Sequence, residues 1–332
     1  MRSEGILSIV SAGQSGKGKF MKRLVLGLII FISKILLKIR YRISYKGFET
    51  LKAQLKDNKK GVLFLANHPA VIVDPLITSI PLIENFHARP LAIEYMYYFP
   101  MFHGVMKLIG ALPIPNFSTS FNIIKVERAN KAMNEIHKAL SQGESFLIYP
   151  SGTTKVSGRE ILGGAFAIAN IIQENPDIHI CCIRTEGLWG SMFSRALTNG
   201  DPVDMQSVFT KAFWTTVKNL LFFVPKRNLN IEFELVDSTF PFKGSKNEIN
   251  EYLENWFNKP YQDFPKKEEP LQLVSYSAYG IELPVIPPVK EELIDTSDIS
   301  QEVQDAVFEK IALLSKRPKG EIKRSHKLSE DL

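Results

Sequence analysis

Gly61-Val-Leu-Phe-Leu-Ala-Asn-His-Pro-Ala-Val-Ile-Val-Asp-Pro75 decides how this chain is read. Val62–Ala66 is an apolar run of strand length, which reads as a strand buried on both faces. The polar, charged Asp57–Lys60 precedes it, and Asn67-His68-Pro69 ends it. Pro69 has no N–H to give a central sheet, so His68 falls where the chain turns out of the sheet. Asp74 follows six residues later and reads as the N-cap of a new helix, with Pro75 in the first turn. A histidine on a strand-end loop, with a carboxylate able to fold back on it, is the equipment of a general base. The Asp74 carboxylate would fix the imidazole tautomer and stabilise the imidazolium as His68 takes a proton from a hydroxyl. Taken alone, the pair equally describes a surface histidine and a helix cap, so the rest of the chain has to decide.

With 332 residues, 45% apolar and 23% charged, the chain can bury a sizeable core as one large domain with additions or as two domains. The net charge of +6 is unevenly spread. Residues 1–46 hold ten Lys/Arg against the single acid Glu4, which is +9 and leaves about −3 for the remainder. A basic arm interleaved with aliphatics points to anionic lipid before nucleic acid, and no nucleic-acid motif accompanies it. Cys181 and Cys182 are adjacent. On a strand they would point to opposite faces, so they are neither a metal pair nor a disulfide framework, which fits a reducing compartment.

Outward from the His68 segment, the N-terminal Ser11–Lys19 imitates a phosphate loop but lacks its first glycine and its hydroxyl residue after the lysine. Leu24–Ser33 is apolar and free of charge but too short to span a bilayer of roughly 20 helical residues. On a helix, Arg23, Gly27, Lys34 and Lys38 share one narrow stripe, which predicts an interfacial helix with snorkelling basic residues. Residues 1–45 are therefore expected to form a membrane-associating segment at the cytoplasmic face. Beyond it the spacing predicts strands at Tyr41–Tyr45, 61–66, Arg89–Glu94, 110–115, Ser145–Pro150, His179–Arg184 and Asn230–Val236. Helices are predicted at Phe48–Leu55, Ile77–Asn85 (interrupted at Pro81), Tyr95–Ile109, Phe121–Gln142, Gly164–Gln173 and Asp204–Val224. Strands alternating with helices predict an α/β fold with a mainly parallel central sheet flanked by helices over residues 46–240. Chemistry then belongs at the carboxyl ends of the strands, where His68, Asn116, Ser151 and Arg184 fall. Residues 241–332 mix charge runs with prolines and read as a C-terminal extension.

Four segments, in order, resemble the glycerolipid acyltransferase family. Asn67–Asp74 is similar to its His-Asp block, Gly110-Ala-Leu-Pro-Ile-Pro-Asn116 to its second block, and Tyr149-Pro-Ser-Gly-Thr-Thr154 to its third, while Gly163–Phe166 and the 179–184 strand follow as the family's do. The stretch Gly187–Arg195 is similar to members fused or linked to acyl-activating enzymes. The resemblance implies that His68 deprotonates an acceptor hydroxyl, oriented by Asp74, and that the oxygen attacks a thioester directly. It implies acyl-CoA or an acyl-carrier protein as donor substrate, no cofactor and no metal, membrane lipids as partners, and an acyl-activating ligase as a further partner. Acceptor-binding candidates are Asn67, Asn116, Ser151, Gly152 and Arg184.

The departures are specific. The His-Asp spacing is one residue longer than the commoner His-x4-Asp. Asn116 and Thr154 stand where the family has arginine, and Ser151 where it has glutamate, positions that help hold the acceptor's glycerol phosphate. Lys155, Arg159 and Arg184 are the available substitutes. Losing bidentate arginines argues against lysophosphatidate and for a lysophospholipid with a masked phosphate or another hydroxylated lipid. The missing charges also favour, as the alternative, a catalytically inactive membrane-binding scaffold with the same fold. Glu302–Leu314, with Leu-Ser-Glu-Asp-Leu at 328–332, resembles the start of an acyl carrier domain.

Overall fold

Val62–Ala66 (β2) is the middle strand of a seven-stranded sheet. The structure, a computed structural model, describes residues 16–117, 122–163, 167–218 and 226–259. The other strands are Tyr41–Lys46 (β1), Arg89–Ile93 (β3), Leu112–Ile114 (β4), Phe146–Ile148 (β5), His179–Glu186 (β6) and Arg227–Leu235 (β7), in the order β1-β7-β6-β2-β5-β3-β4. Neighbouring strands are parallel except β6 with β7. Helices Gly16–Arg40 (α1), Phe48–Gln54 (α2), Val73–Phe86 (α3), Glu94–Tyr97 (α4), Pro100–Leu108 (α5), Ile123–Ser141 (α6), Ala167–Glu174 (α7), Met205–Lys218 (α8) and Lys246–Phe257 (α9) flank it. The α/β architecture with a mostly parallel sheet is the one the sequence predicts.

The period-2 alternation of β2 divides the core. Leu63 and Leu65 pack with Ile136 of α6, Ile168 of α7 and Leu253 of α9. Val62, Phe64 and Ala66 pack on the other face with Leu51 of α2, Ile77 of α3 and Phe233 of β7. Cys181 and Cys182 separate in the same way, one into each face. Burial pushes both thiols up, away from thiolate chemistry.

Three expectations are corrected. First, α3 runs straight through Pro81. A proline there leaves the Ile77 carbonyl without its helical donor. The Tyr45 hydroxyl of β1 supplies the bond instead, donating to Ile77 O at 3.3 Å. Enclosure of the hydroxyl, with Glu84 nearby, pushes Tyr45 up to about 12, so it remains a donor at neutral pH. Tyr45→Phe keeps the ring against Phe48 and Phe233 and removes only the donor. The expected result is a loss of about 1 kcal/mol, seen as a lower urea midpoint with an unchanged slope.

Second, the α/β body continues past 240. Ser245 and Glu248 close a capping box at the start of α9, and Ile249, Leu253, Trp256 and Phe257 enter the core. Their i, i+4, i+7, i+8 spacing is that of an amphipathic helix. The carrier-like helix at 302–314 lies outside the described residues.

Third, α1 is continuous across Lys34, but Lys34 does not snorkel outward. Its Nζ pairs with Glu84 Oε1 of α3 at 2.6 Å, and Leu37 is buried beside it. That side of α1 faces the body. The opposite side carries exposed Met21, Leu24, Leu28, Phe31 and Ile35. Among the described residues no helix is long and apolar enough to cross a membrane.

Candidate active site

β2 ends at Ala66, and β5 and β6 pair with it on either side in parallel, so the loops leaving all three emerge at one edge of the sheet. Asn67 is the first residue out. It is buried, and its side chain clips the end of β6, Nδ2 donating to Thr185 O at 3.1 Å and Oδ1 accepting from Thr185 N at 2.8 Å. Asn67 therefore sets the exit direction of the loop and has no spare side-chain atom for an acceptor.

His68 follows. Its Nδ1 lies 2.8 Å from Asp74 Oδ2. Asp74 is fully buried, while the imidazole keeps 16% exposure. Burial pushes the Asp74 carboxyl above its ordinary value, and the hydrogen bond and charge of His68, with the Thr78 hydroxyl at 3.3 Å, pull the other way. With Nδ1–H donated to Asp74, Nε2 is left as the ring's acceptor, the tautomer a general base requires. The Tyr149 ring, centroid 4.3 Å away, backs the imidazole.

The expected N-cap role of Asp74 is corrected. α3 begins at Val73 with Ile72 in the cap position, and Asp74 sits inside the first turn with its carboxylate turned to His68. Between His68 and Asp74 the loop turns at Ile72, whose φ of 61° and ψ of −63° close a γ-turn from Val73 N to Val71 O at 2.6 Å. A β-branched residue at positive φ is strained by about 1–3 kcal/mol. Here that strain folds the chain tightly enough to bring Asp74 back onto His68. Val71 N also donates to Phe193 O at 2.9 Å, tying the turn to the loop after β6.

Glu160 is the residue that sequence reasoning misses. Its Oε2 accepts from His68 N at 2.9 Å, while Lys155 N donates to His68 O at 2.8 Å, so both main-chain polar groups of His68 are held by the segment after β5. Burial pushes the Glu160 carboxyl up; the Lys155 charge, the nearby Ser151 hydroxyl and the His68 N–H oppose it. Both Lys155 and Glu160 are buried. Asn258, just past α9, bonds Glu160 N and O at 2.8 Å each. Glu160→Ala removes the carboxylate beside Lys155 and the acceptor of the His68 N–H together, with an expected loss of about 3 kcal/mol. Glu160→Gln keeps an acceptor and should lose about 1 kcal/mol less. Chemical denaturation of the two variants checks the difference.

The other candidates divide. Ser151 lies beside this carboxylate, and its Oγ donates to Thr153 O at 2.8 Å within its own loop. Gly152 is exposed at φ 65°, but its N–H is spent on Tyr149 O at 2.9 Å. Asn116 follows β4, three strands from β2, and its carbonyl accepts from Lys125 Nζ at 2.5 Å. The structure does not bring Arg184 to the site. Its guanidinium is buried, paired with Glu232 and Glu186, donating to Trp256 O and lying over the Trp256 ring. An arginine alternating along a strand next to two others reads the same whichever face it takes, and here it faces α9.

A structural search finds the crystal structure of the 1-acyl-sn-glycerophosphate (LPA) acyltransferase PlsC from Thermotoga maritima. It is 16% identical with a TM-score of 0.47, and the match covers 77% of this chain and 86% of that one. Comparison with curated proteins yields no match. The family model described as Acyltransferase matches residues 42–185, from β1 to the end of β6. That span contains His68, Asp74 and every other candidate site residue, so the segment that carries the candidate site is the one that matches the acyltransferase family model.

Proposed function

We propose that the protein is a membrane-associated O-acyltransferase moving a fatty acyl group from a thioester, on CoA or a carrier protein, to the hydroxyl of a lysophospholipid or related glycerolipid. The observation that carries this reading is the 2.8 Å contact of His68 Nδ1 with buried Asp74, at a strand-end edge inside an acyltransferase-family segment. His68 Nε2 takes the proton of the acceptor hydroxyl. The oxygen attacks the thioester carbonyl, the new C–O bond forms, and the C–S bond breaks. The imidazolium returns its proton to the departing thiolate, leaving an ester and a thiol. A thioester is already activated, so one base and good positioning suffice without a covalent acyl-enzyme. Ser151 donates its hydroxyl proton to Thr153 O within its own loop and is not the nucleophile in this reading. The apolar outer side of α1, with the basic residues of the N-terminal arm, supports action at an anionic lipid surface, at the cytoplasmic face.

Purified protein in mixed micelles, given labelled acyl-CoA or acyl-carrier protein and a panel of lysophospholipids, tests the proposal. Transfer that vanishes in His68→Ala is the expected result. Folded, vesicle-bound protein that transfers to no hydroxylated acceptor would instead favour the inactive scaffold, which the neutral Asn116, Ser151 and Thr154 recommend.

A further inference from the structure

The acceptor's phosphate needs a cation, and of the positions suggested by sequence Thr154, Lys155 and Arg184 do not offer one, which leaves Arg159 as the rival to be tested. Thr154 is buried, so even an arginine there would have to turn inward. Lys155 is buried against Glu160, and Arg184 is committed to Glu232 and Glu186. A guanidinium does reach the loop after β5 from elsewhere. Arg195, at the start of the short helical turn Arg195–Thr198, donates from Nη2 to Thr153 Oγ1 at 2.8 Å. Among the described residues its Nη1 makes only a long 3.4 Å bond to Gly200 O, and its Nε has no partner. Among the described residues Arg195 has no carboxylate in ion-pair range, unlike Arg89 between Glu135 and Glu144 or Arg184 between Glu186 and Glu232.

The guanidinium is also well placed. Ser194 Oγ accepts from Gly190 N at 3.0 Å and donates to Ser191 O at 2.8 Å, which stiffens the preceding turn. Phe193 O is bonded to Val71 N on the His68 loop. Thr153 lies two residues, at most about 7 Å of chain, from Lys155, whose N–H holds His68 O. A half-buried cation without a counter-charge is costly, and a phosphate oxygen supplies the missing charge with charge-assisted hydrogen bonds.

We propose that Arg195 is the specificity residue that recognises the acceptor phosphate while the acceptor hydroxyl sits at His68. This rests on the acyl-transfer reading. A single fork suits the singly charged phosphodiester of a lysophospholipid with a headgroup, whose phosphate a lone guanidinium can neutralise.

Two measurements test it. In micelles, transfer to a lysophospholipid with a phosphodiester headgroup is compared with transfer to monoacylglycerol, which has the hydroxyl and no phosphate. Arg195→Ala should lower the preference for the phosphodiester about 10- to 100-fold, the weight of one charged hydrogen-bonded contact. Arg195→Lys should restore part of it, and Arg159→Ala should keep the wild-type ratio. An unchanged ratio in Arg195→Ala, or a loss confined to Arg159→Ala, overturns the assignment. Independently, calorimetry follows binding of a short-chain lysophospholipid lacking the free hydroxyl. A weakening of tenfold or more in Arg195→Ala supports the inference even if wild-type protein transfers nothing, a result that would count against the acyl-transfer reading alone. Equal binding by wild type and variant overturns the inference whatever the transfer assay shows.

Discussion

Alanine at position 68 should lower acyl transfer about 10³-fold while the protein still folds. A positioned general base contributes about 10²–10⁴, and in the proposed mechanism His68 is the only such base. The informative companion is Asp74→Asn. It preserves shape in a fully buried position, but its amide can donate to Nδ1, which places the remaining proton on Nε2 and leaves no lone pair for the acceptor hydroxyl. A loss of similar size, about 10³-fold, is expected from the wrong tautomer alone. Because Asp74 acts through His68, the double variant should be no slower than His68→Ala. Measured kcat values for the four proteins check this. Losses that multiply would mean that Asp74 has a role independent of the imidazole. A normal rate in Asp74→Asn would remove the dyad from the mechanism.

The dyad could be read from the sequence because each of its parts has a local signal. The apolar run of β2 announces a central strand, Pro69 ends it, and Asp74 precedes a proline at a helix start. The parallel strands around β2 are legible for the same reason, since strands buried on both faces are continuous apolar runs. What the sequence conceals is whatever depends on a distant partner. Glu160 lies 92 positions from His68 in a polar stretch that reads as solvent-facing. Pro81 looks like a helix break until Tyr45 is seen to satisfy the freed carbonyl. Arg184 and Arg195 both stand near the end of β6, and neither spacing nor residue type tells which is spent on carboxylates. Asp74 shows a subtler failure. A cap residue and a catalytic carboxylate have the same sequence signature, and only the turn at Ile72 decides that this carboxylate faces the histidine.

Glutamates in place of Leu24, Leu28 and Phe31 are expected to weaken binding to anionic vesicles about a thousandfold. These residues are 55%, 54% and 61% exposed and repeat at i, i+4 and i+7, so they form one stripe on the side of α1 away from the body. The rotation of the helix is set from the opposite side, where Leu37 is buried and Lys34 holds Glu84. Immersion of each side chain is worth about 1.5 kcal/mol. Three together give about 4.5 kcal/mol, or about 10³ in partitioning. The fold should tolerate the change, since surface substitutions typically stay within about 0.5 kcal/mol. Salt separates the two contributions: the pull of the basic arm on anionic lipid fades as ionic strength rises, whereas the apolar contribution does not. Transfer to a soluble short-chain acceptor should survive in the triple variant, and transfer to acceptor embedded in vesicles should fall with binding. If the triple variant floats with vesicles as well as the parent does, while sedimentation shows a parental dimer become a monomer, the stripe belongs to a second copy of the chain and lipid access must come from another face.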